Sequence, residues 1–147
     1  LTRFRTDVVR RTYHYWRAKC VEGRLPPRAD IRPEELTGLL PWVFLVDVRS
    51  EPLGFRFRLV GTEIDRLAGT RYTGVRVNAA EYGPHWQRIF NDYAAVVQTR
   101  MPSYADAQAP WGAREFLHYE RIIMPLSSDG ERIDVLFGAL HPTEPQA

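Results

Sequence analysis

Residues 55–74 read FRFRLVGTEIDRLAGTRYTG, and this stretch decides the fold. It begins with apolar residues that alternate with arginines, which predicts a β-strand. Thr62 is then predicted to cap a short helix, with Asp65 at the third helical position of a capping box. Gly69 can adopt the left-handed conformation that ends such a helix. Because so short a helix cannot be a βαβ crossover, we expect it to lie across a sheet and wall a small cavity.

The rest of the chain supplies further elements at helical or strand spacing. An amphipathic helix is predicted over residues 2–21, with apolar residues on one face and basic residues on the others. Prolines interrupt residues 23–33, and PEELTGLL at residues 33–40 predicts a short helix. The remaining predictions are a strand at 42–48, a long helix at 85–100, strands at 103–109, 114–126 and 132–140, and hairpin turns at 111–112 and 128–130.

The order of these elements predicts the fold class. Two hairpin strands precede the internal helices, and three meander strands follow them. This order is typical of an α+β fold, a five-stranded antiparallel sheet with helices over one face, here with an amphipathic helix at the N-terminus. We divide the chain into an N-terminal helix (residues 1–22), a linker with a short helix (23–41), the sheet domain (42–141) and a tail (142–147).

The composition narrows the class of protein. A chain of 147 residues fits one domain, and 44% hydrophobic with 26% charged residues predicts a globule rather than a disordered chain. A net charge of +2 argues against a broad nucleic-acid surface. No apolar run approaches the roughly 18 residues of a membrane span, and the lone Cys20 excludes an internal disulfide. We therefore expect a cytoplasmic protein with no nucleic-acid partner and no membrane span.

Three stretches of the chain resemble the PAS domain, and in particular a bacterial single-domain PAS subfamily. They are YWRAKCVEGRLPPRADIRPEEL with LLPWVFLVDV, FRFRLVGTEIDRLAGTRYTG, and YERIIMPLSSDGERIDVLFGAL. The resemblance implies a pocket enclosed by the sheet and its helical connection, and a sensory or dimerisation role in signal transduction. It carries over no catalytic residue and does not choose a cofactor, which stays unknown.

Residues suited to cofactor or metal chemistry are dispersed along the sequence. PAS-type haem sensors use a histidine on or near the long helix, but His85 stands at its start, where a surface or capping role fits better. PAS-like light sensors carry a cysteine in the short helix after the second strand, whereas Cys20 lies in the N-terminal helix and is expected to be a small buried hydrophobe. The histidines have no metal-ligand spacing, and no nucleophile–base motif is present. We therefore predict no metal site, no catalytic residue and no enzyme.

A ligand would contact the side chains that turn toward the cavity. Because an unpaired buried arginine is costly, an arginine such as Arg121 is expected to pair with Glu120 or Glu63, or with an acidic ligand. The sequence leaves open which side chains of the second strand face the cavity. Either Phe57 faces the cavity, or the phenylalanines pack under the N-terminal helix and Arg58 faces it, which is the interpretation we prefer. The predicted ligand-binding residues are Arg58, Val60, Ile64, Tyr72, Tyr93, Val97, Tyr119 and Arg121.

Three functions from different classes fit the sequence. The first, our primary prediction, is a sensory or protein-interaction module that binds an unidentified small molecule or protein partner. It would signal through association, as a homodimer formed through the N-terminal helix. The second is a structural interaction domain whose pocket is filled by side chains. The third is a small pocket enzyme that transfers a proton, which requires a carboxylate and a tyrosine facing one cavity.

Overall fold

The computed structural model describes residues 3–111 and 114–144, with side chains described outside residues 109–116. The helices of this part of the chain are α1 (Asp7–Lys19), α2 (Thr62–Ala68) and α3 (Trp86–Thr99). Its strands are β1 (Val43–Ser50), β2 (Leu53–Val60), β3 (Ser103–Trp111), β4 (Arg114–Leu126) and β5 (Val135–Pro142).

The five strands form one antiparallel sheet in the order β2-β1-β5-β4-β3. The β1–β2 hairpin and the β3–β4–β5 meander join where β1 pairs with β5. Residues 74–77 run along the outer edge of β2, where the Phe57 N–H donates to Val75 O and the Val77 N–H donates to Phe55 O, each at 2.9 Å. The predicted fold class, an α+β fold with a five-stranded antiparallel sheet, is confirmed.

Helices cover both faces of the sheet. On the inner face, α2 and α3 bury Ile64, Tyr93 and Val96 against strand residues. On the outer face, α1 packs Val9 and Trp16 against outward side chains of β1, β4 and β5. The prediction of helices over one face therefore holds for α2 and α3, while the N-terminal helix takes the opposite face. Its apolar stripe is used within its own chain.

A buried carboxylate on β4 fixes the beginning of α1. The Glu120 side chain has no exposed surface. It accepts hydrogen bonds from the backbone N–H groups of Arg5 and Thr6, at 2.6 and 2.9 Å, and from the Thr6 hydroxyl at 2.7 Å. The Tyr104 hydroxyl donates a fourth at 2.5 Å. Thr6 is also the N-cap, accepting from the Val9 N–H at 3.2 Å, so the helix begins just after it rather than at the predicted residue 2.

The junction between β2 and α2 uses a different cap from the predicted one. Gly61 is the N-cap residue, and Thr62 is the first residue of α2. A glycine is needed because a Cβ at position 61 would lie 2.3 Å from Pro41 O. Gly69 ends the helix at a φ of 76°, as predicted.

A β-bulge changes the direction of side chains along β2. Arg58 has no partner on β1, although the residues on either side of it, Phe57 and Leu59, are paired. The alternation restarts after the bulge, so Phe57 and Val60 are both buried on the inner face. Arg58 points outward and forms an ion pair with Asp47 at 2.9 Å. The preferred interpretation, with Arg58 toward the cavity and the phenylalanines under the N-terminal helix, is therefore wrong.

Residues 33–40 do not form the predicted helix. They contribute to single 3₁₀ turns at Pro33–Glu35 and Leu40–Trp42. Between the turns, Gly38 has a φ of 82°, which a continuous right-handed helix does not allow. The buried leucines of this segment complete the apolar layer under α1.

The last strand begins at Val135 rather than at the predicted residue 132. Before it, the Asp129 carboxylate accepts hydrogen bonds from the N–H groups of Glu131 and Arg132 at 2.8 Å each, which prolongs the predicted turn. The other predicted hairpin turn, at 111–112, extends outside the described residues.

Candidate functional site

A central cavity lies between the inner face of the sheet and the helices α2 and α3. Its volume is about 50 Å³, enough for one or a few water molecules. Most small-molecule sites in proteins measure roughly 300–1,000 Å³. Strand and helix residues form the wall together with Tyr72 and Tyr82 from the connection between α2 and α3.

Most of the cavity wall is aromatic. The Phe57 ring lies 5.6 Å from the Tyr72 ring and 6.2 Å from the Tyr82 ring, and the two tyrosine rings stack at 5.2 Å, all between centroids. Tyr93 meets Phe57 edge to face at 6.2 Å and lies 6.5 Å from Phe44. Burial raises the pKa of both Tyr93 and Tyr72, so these phenols stay neutral at physiological pH.

One end of the cavity carries charged side chains. Arg88 and Asp92 lie one turn apart on α3, and Tyr119 and Arg121 lie two residues apart on β4, so each pair faces one way. Arg121 is only 8% exposed and lies 3.6 Å from the Asp92 carboxylate. Arg88 donates to the Tyr119 hydroxyl at 3.3 Å. Two guanidinium groups and one carboxylate therefore share this end of the cavity.

Gly138 on β5 determines the position of the cavity wall at Phe44. A Cβ at position 138 would lie 2.3 Å from the Phe44 ring and 2.6 Å from Ile122 O. The ring therefore rests against the bare backbone of β5. A side chain at this position would displace the ring.

Most of the predicted ligand-binding residues meet at this cavity. Val97 packs in the inner cluster but not on the wall, because the cavity reaches only the first half of α3. Arg58 lies on the outer face, as described above. Ligand binding by any of these residues stays a prediction. The predicted residues on the wall are Val60, Ile64, Tyr72, Tyr93, Tyr119 and Arg121.

Arg121 pairs with a carboxylate, but with neither predicted partner. Glu120 precedes it in β4 and points to the outer face, because side chains alternate along a strand. Glu63 pairs with Arg66 at 2.9 Å within α2. Asp92, from α3, is the carboxylate that reaches Arg121.

Several wall residues lie outside the predicted set. The spacing of Arg88 and Asp92 on the long helix was a usable signal, because residues four apart share a helix face. Tyr82 offered no signal, since its position depends on the irregular segment before α3. Phe57 lies on the wall as in the interpretation that we did not prefer. The other wall residues outside the predicted set are Phe44, Tyr82, Arg88, Ile89, Asp92 and Leu140.

A wider groove of about 370 Å³ lies along the β1–β2 hairpin. Among the described residues, none lines both the groove and the central cavity. Its lining includes the arginines Arg49, Arg56 and Arg76, as well as Trp86 and Phe90 from α3. The groove is therefore both basic and aromatic.

Histidine and cysteine side chains stand apart from the cavity. Within residues 3–111 and 114–144, no group of three or more His, Cys, Asp or Glu residues is placed to hold a metal ion. His85 is the N-cap residue of α3 and is exposed. Cys20 is half-buried at the end of α1, and burial raises its pKa. No helix in the described part of the chain is long and apolar enough to cross a bilayer.

Comparison with known proteins identifies the family. The family profile described as PAS domain matches residues 5–141, which include α1 and the sheet except for the last residue of β5. The chain belongs to the PAS domain family. Membership makes it a sensory or protein-interaction module. No curated protein matches this PAS domain.

Solved structures share the fold of this PAS domain at low sequence identity. A light-oxygen-voltage domain from work on a flavin analogue has a TM-score of 0.56 and 10% identity, covering 76% of this chain and 83% of its own. The LOV protein of Rhodobacter sphaeroides has a TM-score of 0.52 and 13% identity, covering 90% of this chain and 67% of its own. A sensory box sensor histidine kinase from Vibrio cholerae has a TM-score of 0.50 and 13% identity, covering 76% and 85%. These identities support a shared fold alone.

Proposed function

We propose that this PAS domain senses a small anion in its central cavity and signals by associating with another protein. The observation that carries the proposal is the charged end of the cavity, where Arg88 and Arg121 face a single carboxylate, Asp92. Taking a charged side chain out of water costs several kcal/mol, and Arg121 is only 8% exposed. A bound anion would balance the second guanidinium group.

The size of the cavity limits the ligand to a few heavy atoms. About 50 Å³ suits a molecule the size of formate or acetate, whereas a flavin or a haem needs several hundred Å³. Cys20 and His85 also lie outside the cavity wall. The described residues therefore do not fit a flavin held by a thiol or a haem held by a histidine.

Thermal unfolding in formate and acetate tests the sensing proposal. We expect the melting temperature of the wild-type protein to rise with either anion and not with chloride at equal ionic strength, because a ligand that binds the folded state stabilises it, by about 2.7 kcal/mol at 100 times its Kd. Arg121→Gln and Arg88→Gln should each lose this rise. Arg10→Gln, an exposed α1 arginine, should keep it. A rise of equal size in all four proteins would contradict the proposal.

A structural interaction domain with a filled pocket is the second candidate function. The close packing of Phe57, Tyr72 and Tyr82 favours it, since the wall to which these rings belong encloses only about 50 Å³. The absence of any anion-dependent rise in the wild-type protein would select this candidate.

We propose homodimerisation as the mode of association, with the exposed side of α1 as the contact. The apolar stripe of the helix is buried in its own chain, so the contact would use exposed charged residues near the two ends of α1, Asp7 and Arg17. Asp7 would then exchange its ion pairs with Arg10 and Arg11 of its own helix. In an antiparallel pair, each aspartate meets an arginine of the other copy. By light scattering, Asp7→Arg should lower the dimer mass and Asp7→Arg with Arg17→Asp should restore it. A monomeric wild-type protein, or a single variant that remains dimeric, would refute this contact.

We also propose a non-enzymatic role in the cytoplasm. Asp92 and Tyr93 are a carboxylate and a tyrosine at one cavity, as a proton-transfer enzyme requires. However, Arg121 engages Asp92, and burial raises the pKa of Tyr93. The Tyr93 phenol is therefore not suited to exchange protons near neutral pH, and the Asp92 carboxylate is already engaged in an ion pair.

A further inference from the structure

Arg56 of β2 and Arg76 of the neighbouring edge segment face each other beside the β1–β2 hairpin. Arg56 of β2 pairs with Asp47 of β1 and, on its other side, with Arg76 through an isolated antiparallel bridge. Residues directly opposite each other on antiparallel strands project to the same side, with Cβ atoms roughly 4.5–5.5 Å apart, and like charges placed so are destabilising. The carboxylate of this row is already engaged, because Asp47 binds Arg58 at 2.9 Å.

Backbone contacts hold two of these guanidinium groups in place. Arg49 donates from Nε to Pro52 O at 3.2 Å and lies over Gly54, where a Cβ would be 3.0 Å from its Nη2. Arg56 donates from Nε to Gly74 O at 3.1 Å. Across residues 3–111 and 114–144, neither guanidinium forms an ion pair with a described carboxylate. The terminal nitrogens of both groups are thus held in place by these backbone contacts, and no described carboxylate neutralises their positive charge.

Arg76 is held by a short loop and is only weakly neutralised. The backbone N–H of Arg76 donates to Glu81 Oε1 at 3.1 Å, and the backbone N–H of Glu81 donates to Asn78 Oδ1 at 2.8 Å. The Arg76 Nε lies 3.9 Å from Glu81 Oε2, a long distance for an exposed ion pair. The groove lining therefore includes three arginines, Arg49, Arg56 and Arg76, and a single carboxylate, Asp47, which Arg58 already engages.

These three arginines line the groove of about 370 Å³, which is large enough for a small molecule. Planar guanidinium groups bind the oxygens of carboxylates and phosphates in pairs. We propose that this groove is a second binding site of the PAS domain and takes a small organic anion with at least two carboxylate or phosphate groups. The site is distinct from the proposed sensing cavity, because the described residues that line the two are different.

Calorimetric titration with malonate and with pyrophosphate tests the site. We expect the wild-type protein to bind at least one of them with a Kd below about 1 mM. Arg56→Gln and Arg76→Gln should each weaken binding at least about tenfold, which corresponds to the loss of 1.4 kcal/mol. Preference for malonate would assign the site to carboxylates, and preference for pyrophosphate would assign it to phosphates.

A matched control separates a built site from general positive charge. Arg66→Gln removes the same charge from an exposed position on α2, where the arginine pairs with Glu63, and should bind as the wild type does. The proposal is overturned if neither probe binds at about 10 mM, or if Arg66→Gln weakens binding as much as Arg56→Gln does. These results leave the test of the central cavity unaffected.

Discussion

Glu120 and Arg121 are consecutive residues of β4, yet they serve opposite faces of the sheet. Glu120 accepts the hydrogen bonds that begin α1, and Arg121 reaches the charged end of the central cavity. Both side chains are buried, and each has polar partners from another element. One peptide unit thus connects the anchor of the N-terminal helix with the cavity.

Also at the residue scale, Asp129 should make the stability of the fold depend on pH. Hydrogen bonds from the Arg132 and Glu131 N–H groups lower its pKa to about 2, below the value near 3.9 of an unfolded chain. A carboxyl with a lowered folded-state pKa stabilises the fold above about pH 4, and this contribution is lost as the pH falls toward 2. Urea unfolding of Asp129→Ala should show lower stability than the wild type at pH 7 and the same stability near pH 2.

Glu131→Ala is the matched control for this experiment, since Glu131 is an exposed carboxylate two residues away. Its stability should follow that of the wild type across the same pH range. A difference for Asp129→Ala that stays constant from pH 7 to pH 2 would rule out the titration of this carboxylate as the cause.

At the scale of elements, the attachment of α1 depends on one carboxylate. Glu120→Ala would leave the N–H groups of Arg5 and Thr6 and the Tyr104 hydroxyl without their buried acceptor. Each such loss costs about 1–3 kcal/mol, so we expect the free energy of unfolding to decrease by at least about 3 kcal/mol. Urea denaturation measures this change. Asp106→Asn, which removes an exposed ion pair with Arg5, should cost less than about 1 kcal/mol, and equal losses in the two variants would contradict the anchor.

The elements also show how far the sequence leads. Alternation and helical spacing predicted the order of strands and helices, because those patterns are local. The bulge at Arg58 and the Gly61 cap were not predictable, since each depends on a neighbour distant in sequence. The bulge depends on the register with β1, and the cap depends on the contact of Gly61 with Pro41. The same reason applies to the cavity, where β4 and α3 supplied recognisable residues while Tyr82 came from a segment without a periodic pattern.

At the scale of the whole molecule, α1 is part of the folded unit, and the division of the chain at residue 22 stays a prediction. A chain that starts at residue 23 would uncover the outer cluster of apolar strand residues. Burial of each large apolar side chain contributes about 1.5–3 kcal/mol, against a total stability of about 5–15 kcal/mol. We therefore expect the shortened chain to bind a hydrophobic dye such as ANS and to lose its cooperative unfolding transition.

Trp16→Ala in the full chain is the milder form of this experiment. The indole is 5% exposed and donates from Nε1 to Pro125 O at 3.0 Å, so its loss should cost about 3–5 kcal/mol. If the shortened chain unfolds at the same urea concentration as the full chain, α1 is an appendage and the boundary at residue 22 is supported.

The extra residue in β2 has a consequence for comparing this chain with its relatives. A relative whose second strand lacks the bulge will be one residue shorter there, and a gapless alignment will match its buried positions to exposed ones on one side of Arg58. Placing the gap at Arg58 keeps both Phe57 and Val60 in their proper columns. Any inventory of cavity residues transferred between family members depends on that single choice.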